Sequence, residues 1–151
     1  MTFFARRTNR QDARGAKMPR TEPTLREDEA ARETIDSAIK VHRTLGPGLL
    51  ESVYEQCLAY ELRSRGLTVK TQVPVPVIYG DVHIDTGFRL DLLVEDCVIA
   101  ELKAVERMIP LYEAQLLTYL KLTGRRLGLL INFNVPLLKH GLKRLVLSST
   151  S

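Results

Sequence analysis

Gly87–Glu106, GFRLDLLVEDCVIAELKAVE, is the stretch that decides the fold. Two apolar runs, Phe88–Val94 and Cys97–Val105, flank a tight turn at Glu95-Asp96, so the stretch reads as an antiparallel hairpin. Three charged residues interrupt it: Asp91, Glu101 and Lys103. Val98, Ile99, Ala100 and Leu102 surround the last two, which places them in a buried strand and not on a wetted face. Side chains alternate with period two along a strand, so Glu101 and Lys103 share one face and Ala100 and Leu102 the other. Buried charge is costly unless it is paired or bound to a metal, so these three residues need a chemical reason to be there.

The length of the turn decides whether they can act together. A two-residue loop would pair Val94 with Cys97 and put Asp91 on the face of Ala100 and Leu102. A three-residue loop, Glu95–Cys97, pairs Val94 with Val98 and sets Asp91 opposite Glu101, and a bulge before Asp91 has the same effect. A shared site requires one of the latter two.

Outward from the hairpin, the chain alternates helical and strand patterns. Ala31, Ile35, Ala38, Ile39 and His42 make one stripe of a helix over 25–45, with Thr24 as N-cap and Glu27, Asp28 and Glu29 in its first turn. Gly46-Pro47-Gly48 stops it, and a second helix runs over 49–64 until Gly66. Strands are expected at 67–73 and 75–79, irregular or at an edge because of Pro74 and Pro76, followed by a turn at Gly80-Asp81. A third helix over 111–122, with Pro110 at its start and Gly124 at its end, precedes strands at 127–133 and 142–147. The order suits an α/β or α+β domain with a mixed sheet flanked by helices.

With 151 residues, 44% of them hydrophobic, the chain supports one core and not two ordinary domains. No apolar run is long enough to span a bilayer, so no membrane partner is expected and the location is read as cytoplasmic. Two cysteines, Cys57 and Cys97, lie in apolar patterns and read as buried thiols in a reducing compartment. The net charge of +4 is concentrated in residues 1–20, which hold Arg6, Arg7, Arg10, Arg14, Lys17 and Arg20 against Asp12. Residues 1–24 read as a disordered basic tail, with the composition of a transit peptide as an alternative and Met18 as a second possible start. The remainder, residues 21–151, has a net charge of −1, so nucleic-acid binding by the domain, 25–151, must come from a local patch.

Phosphodiester hydrolysis needs a hard cation beside the scissile phosphate, and one or two carboxylates suffice to hold magnesium. Asp91 and Glu101 are the candidate ligands for Mg or Mn, with the carbonyl of Leu102 in reach, and Lys103 is the candidate to orient the nucleophile or offset transition-state charge. Gln115 and Tyr119 lie four apart on the third helix, and Glu51 and Glu55 four apart on the second, so each pair faces one way. His42 suits helix packing as well as phosphate contact. Lys121, Arg125, Arg126, Lys139, Lys143 and Arg144 offer a basic rim for a nucleic-acid backbone, or plain solvated surface.

Gly48-Leu49-Leu50-Glu51-Ser52-Val53-Tyr54 fits the signature G-x-x-E-x-x-Y. From about residue 34 to 147 the chain resembles the GxxExxY protein family of the PD-(D/E)XK nuclease superfamily. The resemblance implies a restriction-endonuclease-like αβββαβ core and a metal-dependent nuclease, with nucleic acid as partner and DNA first in line. It maps Asp91 onto the metal-binding Asp and Glu101-Leu102-Lys103 onto (D/E)-x-K. It maps Glu51 onto the acid of the preceding helix and Gln115–Tyr119 onto a Q-x-x-x-Y element. Leu90 stands where the superfamily's name has Pro. The rival reading is a module that binds nucleic acid or protein on the same fold without turnover.

Overall fold

The computed structural model describes residues 22–148. Two helices open it. The first, α1 (Leu25–Leu45), begins at a capping box: Thr24 Oγ1 accepts from Glu27 N at 3.1 Å and Thr24 N donates to Glu27 Oε1 at 2.7 Å. It ends where Gly46, at φ +73°, donates its N–H to His42 O at 2.7 Å. The second, α2 (Glu51–Ser64), follows after a short loop. Residues 1–21, where most of the basic tail was expected, lie outside the described residues, and Thr24 belongs to the domain as the cap of α1.

Five strands form one sheet in chain order: β1 (Val69–Tyr79), β2 (Val82–Val94), β3 (Val98–Lys103), β4 (Leu127–Asn132) and β5 (Leu142–Val146). All neighbours are antiparallel except β3 and β4, which run parallel because α3 (Pro110–Thr123) crosses between them. The sheet is therefore mixed and flanked by helices, as the alternation of patterns led us to expect. Two of the expected strands at 67–73 and 75–79 are one. β1 runs through Pro74 and Pro76 by shifting register between them, which its place at the sheet edge permits. β2 also starts earlier than Phe88, at Val82, and its outer half pairs only with β1. That outer hairpin carries Ile78, Tyr79, Val82 and Ile84 exposed.

Two cores lie on opposite faces of the sheet. Leu92, Val94, Val98, Ala100, Leu102, Leu129 and Ile131 meet α1 and α2 through Ala38, Val41, Tyr54, Leu58 and Leu62. Leu90, Leu93, Ile99 and Leu130 meet α3 through Leu116, Tyr119 and Leu120. Each fully buried leucine contributes roughly 1.5–3 kcal/mol of transfer free energy. The second interface is tight at Gly128, where an added Cβ would lie 3.0–3.1 Å from the Leu116 side chain. Cys97 lies in the first core and Cys57 is half-buried beside it, both as free thiols.

Tyr54 explains half of the G-x-x-E-x-x-Y signature. Its ring is fully buried and stacks on Phe133 at 4.4 Å between centroids, while its hydroxyl donates to Gly46 O at 2.6 Å and accepts from Leu49 N at 3.1 Å. The phenol thus fastens the α1–α2 loop, in which Gly48 sits at φ +99°, and the loop delivers Glu51 to the first turn of α2. Tyr54→Phe keeps the stack and loses both bonds. It should lower stability by about 1 kcal/mol in denaturant titration, and an unchanged midpoint would show that the loop holds itself.

Candidate active site

The β2–β3 ladder pairs Val94 with Val98, Leu93 with Ile99 and Leu92 with Ala100. Glu95–Cys97 is therefore a three-residue loop, the register that sets Asp91 opposite Glu101. Glu95 and Asp96 take positive φ, +52° and +57°, and Cys97 N closes the turn on Val94 O at 3.0 Å. Past Leu92 and Ala100 the backbone pairing of these strands stops and the two acids replace it. Asp91 N donates to Glu101 Oε2 at 3.0 Å, and Leu102 N donates to Asp91 Oδ2 at 2.8 Å. Each carboxylate is held by the other strand's backbone at a fork in the sheet. Among the described residues Asp91 Oδ1 and Glu101 Oε1 carry no backbone donor.

Glu101 is buried and Asp91 half-buried, each with one backbone hydrogen bond to its carboxylate. Glu101 is 7% exposed, and burial followed by the charge of Asp91 pushes it up from the usual 4.5 to about 8. The Asp91 N–H and Lys103 act the other way, and Glu51 adds to the rise. Asp91 is raised as well, first by burial, with the Leu102 N–H, Lys103 and Gln72 opposing. Burial and mutual repulsion thus both favour a proton on the cation-free pair.

Lys103 lies on the face of Glu101, as alternation requires, but makes no close ion pair with it among the described residues. Its ammonium lies 4.4 Å from the ring centroid of Tyr112, on α3. The next residues of the chain are pinned: Phe133 N donates to Lys103 O at 2.9 Å, and the Asn132 amide bonds both the N–H and the carbonyl of Val105. Lys103 thus stands on a fixed strand end.

The helical candidates divide. Tyr119 is buried in the core beneath α3, and its phenol is raised by burial and then by the charges of Glu101 and Asp91. Phe88 lies beside it at 6.2 Å, half exposed at the mouth of the site. Gln115, one turn earlier on α3, is half-buried and makes no hydrogen bond among the described residues, so the structure does not join it to the site. Glu51 is exposed in the first turn of α2 and reaches Glu101 through its charge alone. Glu55 is half-buried and raised, first by burial and then by the charges of Asp91 and Glu51, while a hydrogen bond from Gln72 opposes the rise. His42 is a packing residue: it is buried, with Nε2 at 2.7 Å from Val135 O.

Most of the expected basic rim is spent inside the chain. Arg125 pairs with Asp96 at 2.8 Å, Lys143 with Glu113 at 2.9 Å and Arg144 with Asp28 at 2.7 Å, while Arg126 donates to Glu22 O. Sequence reasoning missed two residues of the site, Gln72 and Tyr112. Tyr112 was within reach, since 112, 115 and 119 fall on one helical stripe.

Among the described residues no group of three or more His, Cys, Asp or Glu side chains forms a ready metal cage. Two carboxylates set across one fork nevertheless suit a magnesium-type ion, which needs only one or two of them and keeps most of its hydration shell. No helix of the described residues is long and apolar enough to cross a membrane. A family model, that of the PD-(D/E)XK nuclease superfamily, matches residues 28–145, a span that includes every residue of the fork. Searches of curated proteins and of solved structures give no match.

Proposed function

The chain belongs to the PD-(D/E)XK nuclease superfamily, and we propose that it is a metal-dependent nuclease hydrolysing phosphodiester bonds in DNA. The interlocked carboxylates of Asp91 and Glu101 carry this reading, because two acids held together across a fork, one of them buried, are a costly arrangement without a cation to hold. Asp91 Oδ1 and Glu101 Oε1 would hold Mg or Mn. Such an ion supplies charge neutralisation at the phosphate and a more acidic bound water.

The chain's own side chains supply the rest. Lys103, whose ammonium lies over the Tyr112 ring, offsets negative charge that develops on the phosphate oxygens. The raised Tyr119 phenol stays protonated and donates a hydrogen bond within the site. Glu51, exposed in the first turn of α2, would accept a proton from the attacking water. Gln115 can add a hydrogen bond to the substrate backbone from the stripe it shares with Tyr119.

The test uses the purified full chain with single- and double-stranded DNA, and RNA, at several Mg and Mn concentrations. Cation-dependent cleavage that is lost in Lys103→Ala supports the proposal. Failure to cleave any form, with no cation bound in calorimetry, overturns it in favour of a binding module.

A further inference from the structure

Three non-glycine residues among those described have positive φ: Glu95 and Asp96, which make the hairpin turn, and Gln72, at +52° in the middle of β1. No turn requires this at Gln72. In the register fixed by Thr71↔Leu92 and Val73↔Leu90, Gln72 falls directly opposite Asp91. A left-handed glutamine in a strand is strained, by about 1 kcal/mol or more. It also switches the face of the strand: Val69 packs toward α1 and α2, whereas Val73 and Val75 pack toward α3. Glycine would make the same switch without strain. What glutamine adds is its amide.

That amide joins two acids from different elements. Gln72 Nε2 donates to Glu55 Oε1 at 2.7 Å and lies 3.5 Å from Asp91 Oδ1. We propose that Gln72 is a positioning residue, tethering the Glu55 carboxylate of α2 to Asp91 so that helix and fork hold one geometry when a cation and substrate arrive. The purpose of the tether rests on the nuclease reading above, whereas its existence does not. A carboxylate oxygen has two acceptor directions, so Oδ1 can take the amide and a cation together. The strained backbone keeps the amide between the acids, where a relaxed strand residue would alternate to one face. Gln72 itself touches no reacting atom.

The experiment compares Gln72→Gly with wild type, since glycine relieves the backbone and removes only the side chain. The variant should unfold at the same temperature as wild type or higher, bind Mn several-fold more weakly in calorimetry, and show kcat reduced about tenfold with KM within twofold. A residue that only shapes β1 would give the first result without the other two. Wild-type Mn affinity and kcat in Gln72→Gly would overturn the proposal. A double-mutant cycle of Gln72→Gly with Glu55→Ala, read by denaturant unfolding in chelator, tests the tether even if wild type proves inactive. Non-additive midpoints support it and additive ones overturn it. Loss of activity in wild type itself would count against the nuclease reading alone.

Discussion

Glu101→Gln should make the cation-free protein more stable at pH 8, by on the order of a few kcal/mol, while abolishing cation binding and cleavage. In the folded chain the Glu101 carboxyl is pushed up to about 8 from the usual 4.5. Between those values the folded chain holds a proton that the unfolded chain has released, so stability falls as pH rises through this window. Glutamine has no proton to lose, and the slope contributed by Glu101 disappears with it. Well below pH 4.5 both states are protonated, and the two proteins should differ little. Asp91→Asn should move stability in the same direction, because burial raises Asp91 as well. Urea titrations from pH 5 to 8 in chelator measure the effect. A Glu101→Gln protein that is less stable than wild type at pH 8 would make Glu101 a structural partner and remove it from the site.

Lys103→Ala should reduce kcat by about 10²–10³, the usual cost of removing one preorganised charge aimed at the transition state. The fold should survive, because Lys103 is half-buried and has no close ion pair among the described residues, although losing its charge should push the Asp91 and Glu101 carboxyls further up. Cation binding should persist, since Asp91 and Glu101 remain held by the backbone bonds across the fork. Single-turnover cleavage together with calorimetry separates this outcome from that of Glu101→Gln. Retention of wild-type kcat would show that the ammonium is not aimed at the substrate.

The sequence was legible where one residue type has one local meaning. Thr24 with Glu27, and Gly46 and Gly124, bracket helices that end where those residues require. The hairpin register was legible for a different reason: two carboxylates that must share a site exclude a two-residue loop. The outer half of β2 was not legible. Val82–Gly87 mixes exposed apolar and polar residues, and only pairing with β1 makes it a strand. Pro74 and Pro76 suggested two strands because they remove donors, yet an edge position and a register shift let one strand pass. The basic residues near the C-terminus looked like a rim because their partners are remote, as with Asp28, 116 residues from Arg144. Gln72 left no trace, since nothing about a glutamine announces positive φ.

The crossover through α3 also fixes the order in which the molecule can assemble. Asp91 and Glu101 are only ten residues apart and meet as soon as the β2–β3 hairpin closes. Lys103's strand end is secured by Asn132 and Phe133, whose carbonyl and amide bonds wait for α3 to form and β4 to dock in parallel. Loop-closure entropy makes that the slower event. During folding, then, the two acids confront each other in water first, and are sealed from it only when the βαβ unit closes over them. Acidic conditions, which neutralise the acids at the hairpin stage, should smooth the early part of this route and leave the later docking step unchanged.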